Sequence, residues 1–341
     1  MIKMLKFLIL VLLVWGCQIK PNTNKTYIND DIPSDIRSEI SPLDSRVIQA
    51  IKFNRPYDLR DILSTKLLED EANKLDSIFN LISGILKNVE FIKFDNFYVV
   101  NAVKDVSNTI FSGLTSDDDY IIHYKAFEKE MFVSLYKAKV GASELLITLI
   151  YGNTSNGWKL YHIQFGTYSL YDKTAIDYFK MAQRFDSLGY IVDAANTLFL
   201  TQQILKPGNQ LWQYQKEKDI TDLQKNVMDK INTSYKFPLI IEQIKTKPQI
   251  YDIYIQTFND RYETVIKYYT HIDLKDTIKL KAENLEIQKT IGVIFKGIDK
   301  EKEYLLYQAT NEFPDGTIKQ IPIYGFVQEI KGEKILTKTL N

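Results

Sequence analysis

Apolar residues along this chain recur in two periods, and the changes of period mark its parts. Residues 18–42 follow neither: QIKPNTNKTYINDDIPSDIRSEISP is polar and broken by Pro21, Pro33 and Pro42, a pattern that predicts an extended tether. From 43 to 87 the apolar steps are three and four residues. Leu59, Ile62, Leu63 and Leu67 form one stripe, with Asp58 as its candidate cap, and Leu75, Ile78, Phe79, Ile82, Ile85 and Leu86 form a second. Both predict helices that bury one face. The period then falls to two. FIKFDNFYVV (91–100), YIIHYKAFEKEMFVSLYKA (120–138), ELLITLIYG (144–152) and GWKLYHIQFGTYSLY (157–171) are rich in aromatic and β-branched residues, and Asn153–Gly157 is a turn that joins two antiparallel strands.

Residues 174–206 return to the helical period, with Gly189 and Pro207 as breaks, and ITDLQKNVMDKI (220–231) predicts one more helix. Beyond 237 the pattern is mixed. IYDIYIQTF and YETVIKYYTHI flank Asn259-Asp260 as a hairpin, Leu274, Ile278, Ala282, Leu285 and Ile291 suggest a helix, and a second hairpin surrounds Pro314-Asp315-Gly316. The expectation is an α+β protein: helices followed by a curved antiparallel sheet over 43–172, a helical hairpin with a capping helix over 173–236, and a second small α+β domain over 237–330. KGEKILTKTLN, 331–341, reads as an edge strand or a tail.

Helices first, then long antiparallel strands ending in a turn and Trp158-Lys159-Leu160, resemble the cone-shaped α+β fold of the nuclear transport factor family over residues 43–172. That fold also occurs as small domains of exported bacterial lipoproteins. The 174–206 segment resembles one tetratricopeptide hairpin. Tyr178, Met181, Ala182 and Phe185 would be the packing positions of its first helix, and Ala195, Phe199 and Pro207 those of its second helix and terminator. A lone repeat cannot bury both of its faces, so the hairpin is expected to bracket two domains.

The first residues carry an address. Lys3 and Lys6 precede an apolar run from Phe7 to Trp15, about half the ~20 residues that a membrane-spanning helix needs. A charged start and short apolar core predict a secretory signal over 1–16. Gly16-Cys17 directly after that core resembles the bacterial lipoprotein box, although Val14 and Trp15 stand where that family favours leucine and a smaller residue. The resemblance implies cleavage before Cys17, diacylation of its thiol and acylation of the new amino terminus. Cys17 is the single cysteine, so an intramolecular disulfide is impossible even though export would permit one. Several acyl chains, at roughly 0.8 kcal/mol per buried CH₂, would hold the protein on a bilayer. Ordinary secretion and an uncleaved short anchor are the alternatives. Gln18-Ile19-Lys20-Pro21 lacks the acidic export signal that follows the cysteine in some surface lipoproteins, so the expected location is the cell envelope, on the outer membrane facing the periplasm, with residues 17–42 as a lipidated tether.

Composition narrows the function only by exclusion. The chain has 43 basic and 43 acidic residues, with no basic cluster, which disfavours nucleic acid as a partner. Histidine occurs only at 123, 162 and 271, no two at ligand spacing, so no metal or other cofactor is expected. Asp117-Asp118-Asp119 with His123 is the nearest thing to a metal cluster, but strand geometry would hold Asp119 and His123 about 13 Å apart along the backbone. His162 is the one catalytic candidate. Strict alternation places it with Trp158, Leu160 and Gln164, and enzymes of the cone fold use a His or Asp pointing into the cone for proton transfer. Tyr251, Tyr254, Tyr262, Tyr268 and Tyr269 could stack on sugar rings, line a protein contact or simply pack within a sheet.

These readings combine into a membrane-tethered lipoprotein that acts as a non-catalytic binding or adaptor module for an envelope protein or a small ligand. One rival is an enzyme built on His162; the other is an accessory to carbohydrate uptake. An apolar groove on the hairpin or between domains would favour a protein partner. A deep pocket with His162 and a second ionisable group would favour the enzyme, and a flat exposed aromatic strip would favour sugar.

Overall fold

The computed structural model describes residues 24–316 and 321–330. The expected signal, Cys17 and the 331–341 tail lie outside the described residues. In chain order, β1 (Lys25–Ile28) and α1 (Ser34–Lys52) precede α2 (Thr65–Leu86); β2 (Phe91–Val100) leads into a hairpin of β3 (Val106–Phe111) and β4 (Tyr120–Ala126). Three long strands follow, β5 (Glu130–Val140), β6 (Ser143–Thr154) and β7 (Gly157–Leu170), then the short β8 (Lys173–Thr174). Next come α3 (Ala175–Leu188), α4 (Ile191–Gln203), β9 (Trp212–Tyr214) and α5 (Glu217–Ser234). The last unit holds β10 (Leu239–Ile240), β11 (Gln249–Phe258), β12 (Arg261–Tyr269), α6 (Thr277–Ile294), β13 (Tyr304–Thr310) and β14 (Tyr324–Glu329). The class is α+β.

The first sheet is antiparallel and curled, in the order β1-β2-β5-β6-β7-β8. Its central strands are covered on both faces. Met131 to Tyr136 of β5 and Leu146 to Gly152 of β6 are buried without a break, the continuous texture of a strand that has no solvent side. On one face Tyr98, Phe132, Tyr136, Leu149 and Tyr151 pack against Ile40, Val47 and Ile51 of α1 and Leu75 and Phe79 of α2. On the other, Phe97, Val133, Leu135, Leu146 and Ile150 meet Ile122 and Tyr124 of β4, Trp212 of β9 and Ile176 and Phe179 of α3. The hairpin between β2 and β5 thus folds back as a lid, completed by β9 in a three-stranded sheet, β3-β4-β9. The chain between α4 and β9 lies close against β7: a Cβ on Gly166 would sit 2.1 Å from the Pro207 carbonyl oxygen, so no larger residue fits there.

The expected tether is folded from residue 24 onward. β1 pairs with β2, Lys25 opposite Val100 and Ile28 opposite Phe97, and α1 begins at Ser34 and runs through Pro42. An interior proline costs a helix about 3 kcal/mol. Pro42 is on the solvent side, while Ile40, Asp44, Val47, Ala50 and Ile51 are buried; their packing carries the helix through the break. Asp58 caps nothing, because Pro56–Leu59 is a short 3₁₀ turn. The helix starts later, at Thr65, where the Ser64 hydroxyl accepts a hydrogen bond from the Leu67 amide. The 120–138 run is two strands, β4 and β5.

α3 and α4 form the expected hairpin. α3 opens with a reciprocal capping box between Thr174 and Asp177 and ends on Gly189 in the left-handed conformation. Ala182 and Phe185 face Ala194 and Leu198 of α4 and Val227 of α5. The second-helix packing positions are therefore Ala194 and Leu198, one residue before the expected Ala195 and Phe199, and Phe199 is 54% exposed.

The C-terminal sheet has the order β10-β11-β12-β13-β14. β11 and β12 form the hairpin at Asn259-Asp260, both at positive φ. β12 connects through α6 to β13, which runs parallel to it. Leu280, Ile287 and Ile291 of α6 pack on Ile266, Tyr268, Leu305 and Tyr307.

The register of α4 is checked by two truncations followed by urea denaturation. Leu198→Ala is expected to cost about 3 kcal/mol, as for other fully buried leucines, and Phe199→Ala less than about 1 kcal/mol. The reverse order would restore the register expected from the sequence.

Candidate functional site

Cross-strand partners share a face of a sheet. In β7, Leu160 lies opposite Tyr151 whereas His162 lies opposite Ile150, so Tyr161 is an extra residue, a β-bulge that switches the alternation. Leu160 and Ile163 both face the helical layer, and His162 takes the opposite face with Ile150. The expectation that His162 shares a face with Trp158 and Leu160 is corrected on this point. The bulge is fixed by contacts remote in sequence: the Leu160 amide donates to Ile62 O at 2.7 Å and its carbonyl accepts from Ser64 N at 2.9 Å. His162 instead lines a cleft of 220 Å³ with Lys66, Tyr124, Lys125, Phe127 and Leu211. The Phe127 ring stacks on Tyr161 at 5.0 Å and carries Lys66 and Lys125 over it at 5.5 and 5.2 Å. Burial, reinforced by a hydrogen bond to Glu128, pushes the Tyr161 phenol up to about 12.

The acidic run does not converge with His123. Asp119 closes its own turn, its Oδ2 accepting from the Thr115 and Ser116 amides at 2.8 Å each. Asp117 pairs with Lys180 at 3.3 Å, and His123 Nε2 meets Gln213 Oε1 at 2.8 Å. Among the described residues no group of three His, Cys, Asp or Glu side chains could hold a metal ion. The tyrosines divide. Tyr268 is fully buried, Tyr262 packs edge-on to Tyr171 at 4.9 Å, and Tyr269 and Tyr251 both meet Phe313, at 4.7 and 5.6 Å.

One ionisable group does point into the layer between helices and sheet, and periodicity gave no sign of it. Asp44 on α1 is 1% exposed. Its Oδ2 accepts from Ser134 Oγ at 2.9 Å and Tyr136 OH at 2.8 Å, and its Oδ1 from Tyr151 OH at 3.0 Å. Burial raises its carboxyl above the ordinary range, and the three hydroxyls and Lys93 pull it part of the way back. All three donors come from the inner faces of β5 and β6, so Asp44 ties the helical layer to the middle of the sheet.

A larger, apolar opening lies elsewhere, where the helical hairpin meets the C-terminal sheet. With Ala194 and Leu198 turned towards α3, the next residues of α4, Ala195 and Phe199, face Met228 and Ile231 of α5 and Tyr251, Ile253 and Ile255 of β11. They enclose a cleft of 430 Å³, floored near Tyr235 and Phe237, with Asn196, Asn232 and Asp252 as its polar groups. Tyr235 and Phe237 are held by Phe295, at 4.8 and 6.2 Å between rings. Phe199, Met228 and Phe237 are 54%, 43% and 40% exposed. An apolar lining with a few convergent polar groups, at this volume, is the usual make-up of a binding site.

The cleft also runs beside an unfinished sheet edge. β10 pairs with β11 only at Ile250 and Gln249, so from 251 to 258 the outer edge of β11 has no strand partner among the described residues. Ile250 is the sole buried residue of β11, whereas four consecutive residues of β12, Glu263–Ile266, are buried. Every second backbone N–H and C=O along that edge is unpaired by a strand.

The chain matches no protein-family model, no curated protein and no solved structure.

Asp44→Ala would leave three buried hydroxyls without their acceptor and is expected to lower stability by about 3 kcal/mol in urea denaturation. Because the folded-state carboxyl is raised, the wild type should lose stability as pH climbs from the ordinary carboxylate range through the raised value. Asp44→Asn keeps an acceptor and should abolish that part of the slope; an unchanged slope would assign it to other groups.

Proposed function

We propose that the chain is a lipid-anchored protein of the bacterial cell envelope that works as a non-catalytic binding module, receiving an extended apolar segment of a partner protein along β11. The observation that carries this reading is the coincidence of the 430 Å³ apolar cleft with the unpaired edge of β11. Strand addition draws affinity from main-chain hydrogen bonds and selectivity from pockets that take alternate side chains, and both halves stand side by side here. Phe199, Met228 and Tyr251 would form the pocket, with Asp252 and Asn232 at its polar rim.

The anchor in this reading is Cys17, after its signal over 1–16 is removed. Among the described residues no helix is long and apolar enough to cross a membrane; the proposed anchor precedes them. The strand from Lys25 to Ile28 is already part of the sheet, which leaves about seven residues between the lipidated cysteine and the folded body. At ~3.3 Å per residue they reach at most about 25 Å. The module would therefore work close to the bilayer, on the periplasmic side of the outer membrane. The enzyme reading would rest on the 220 Å³ cleft that His162 shares with Lys66, Tyr124, Lys125 and Tyr161; no carboxylate stands among the described residues that line it to pair with the imidazole. The carbohydrate reading needs a flat exposed aromatic strip, whereas Tyr269 stacks on Phe313, Tyr251 meets the same ring edge-on and Tyr268 is buried.

Two measurements in the native host test the proposal. Cys17→Ser should abolish palmitate labelling and move the protein out of the membrane fraction; continued labelling would refute the anchor. A photo-crosslinking residue at 199 should capture one partner through an extended apolar peptide, and Met228→Asp should remove that product at least tenfold. Equal capture from position 278, which is 82% exposed on α6, would refute the site.

A further inference from the structure

The 220 Å³ cleft beside His162 plays no part in strand docking at β11, and its lining has a chemistry of its own. It opens where the lid over the first sheet is incomplete. β9 pairs with β4 only from Tyr120 to Ile122, and Leu211, just before β9, borders the gap together with Tyr124 and Lys125. Tyr124 and Lys125 point to opposite faces of β4; both border the cleft because it opens at the edge of that strand. Leu67, Tyr124 and Ile150 are buried and, with Leu211, make the wall apolar.

The charges at the mouth are of one sign. Lys66 arrives from α2 and Lys125 from β4, and their ammoniums lie over the same ring, Phe127, at 5.5 and 5.2 Å. Lys66 stands in the first turn of α2, which has no acidic side chain, so the positive end of that helix adds to the field. Among the described residues that line the cleft there is no Asp or Glu. Neither neighbouring acid cancels this charge. Glu128 accepts from the Tyr161 hydroxyl at 3.0 Å. Asp105 lies 3.8 Å from the Lys125 ammonium, beyond hydrogen-bond distance, and both of those side chains are exposed, so the pair contributes little. Two like charges held at one ring repel each other, and the ring face offsets that only in part.

We propose that this cleft is a binding site for a small carboxylate with an apolar body. The carboxylate accepts from the ammoniums of both Lys66 and Lys125, and the alkyl chain lies against Leu67, Tyr124, Ile150 and Leu211. Charge-assisted hydrogen bonds of this kind are about twice as strong as neutral ones, and the bridging anion removes the repulsion between the two lysines. The volume of the cleft equals the share of about seven liquid waters, which is room for a chain of about six carbons with its carboxylate at the mouth. This site is separate from the β11 cleft, since among the described residues none lines both.

Isothermal titration of the full chain with sodium hexanoate tests it, with hexanol and hexylammonium chloride as controls. Saturable binding of hexanoate alone is expected at low salt, and it should weaken as salt is added because both lysines are exposed to screening. Lys66→Gln and Lys125→Gln should each weaken binding at least fivefold, and the double variant at least twentyfold. Exposed lysines contribute little to folding, so the melting temperature of these variants should match the wild type. Lys218→Gln, the same change at an exposed lysine of α5, should leave hexanoate binding unchanged. Equal binding of hexanol, wild-type affinity in the double variant, an equal loss in Lys218→Gln, or no saturable heat from hexanoate at millimolar concentrations would overturn the proposal.

Discussion

The long strands β5 and β6 are buried on both sides, and the rest of the molecule is arranged to cover them. One face takes α1 and α2; the other takes the β3–β4 hairpin, β9 and α3. Two-sided burial explains features that otherwise look unrelated. The hairpin between β2 and β5 leaves the sheet and folds over it. The chain after α4 crosses β7 so closely that Gly166 has no room for a side chain. The charge of Asp44 is admitted to the interior only with three hydroxyl donors around it, because a buried carboxylate left without partners would cost far more than its packing returns. A sheet enclosed in this way has little surface left for a partner, and a binding site would lie at the periphery.

α4 is the element through which that periphery is built. Its inner face is committed to α3 and α5 through Ala194 and Leu198, and Val192 enters the core of the C-terminal unit. The seam is closed by contacts of several kinds: Lys302 with Asp193, Lys296 with the Leu188 carbonyl at 2.8 Å, and the Tyr190 ring lying where a Cβ on Gly297 would be. None of these fills the space on either side of the helix. An apolar cleft opens towards α5 and the β11 edge, and a charged cavity opens towards β12. The two differ in chemistry because α4 presents Ala195 and Phe199 to one and Asp193 and Thr197 to the other.

Local pattern revealed the parts of this architecture that local energetics decide. The α2 stripe, the turn at Asn153–Gly157 and the Asn259-Asp260 hairpin all satisfy short-range rules of period and positive-φ tolerance. Long-range pairing decides the rest. The 24–42 segment looks like a tether because its prolines and polar residues outnumber its apolar ones, yet Tyr27 and Ile28 are held by β2 and the α1 stripe by the sheet. Strict alternation misplaced His162 because the bulge at Tyr161 is imposed by residues 62–64, about a hundred positions earlier. The α4 register slipped by one residue because Phe199, the larger apolar group, looks like the core position, whereas the close approach of α3 selects Ala194 and Leu198. Asp44 had no sequence signal, since its donors lie on two strands far along the chain. The apolar cleft was legible only as a condition, a groove on the hairpin or between domains, and its position depends on the tertiary seam.

The account turns on whether the outer edge of β11 is open in the free protein, and amide hydrogen exchange measures this residue by residue. Residues 251–258 should exchange markedly faster than Thr264–Tyr269 of β12, which are paired on both sides, with fast and slow amides alternating along β11 as its two edges alternate. Protection of β11 equal to that of β12 would mean that the edge is already satisfied, and would contradict a docking strand there.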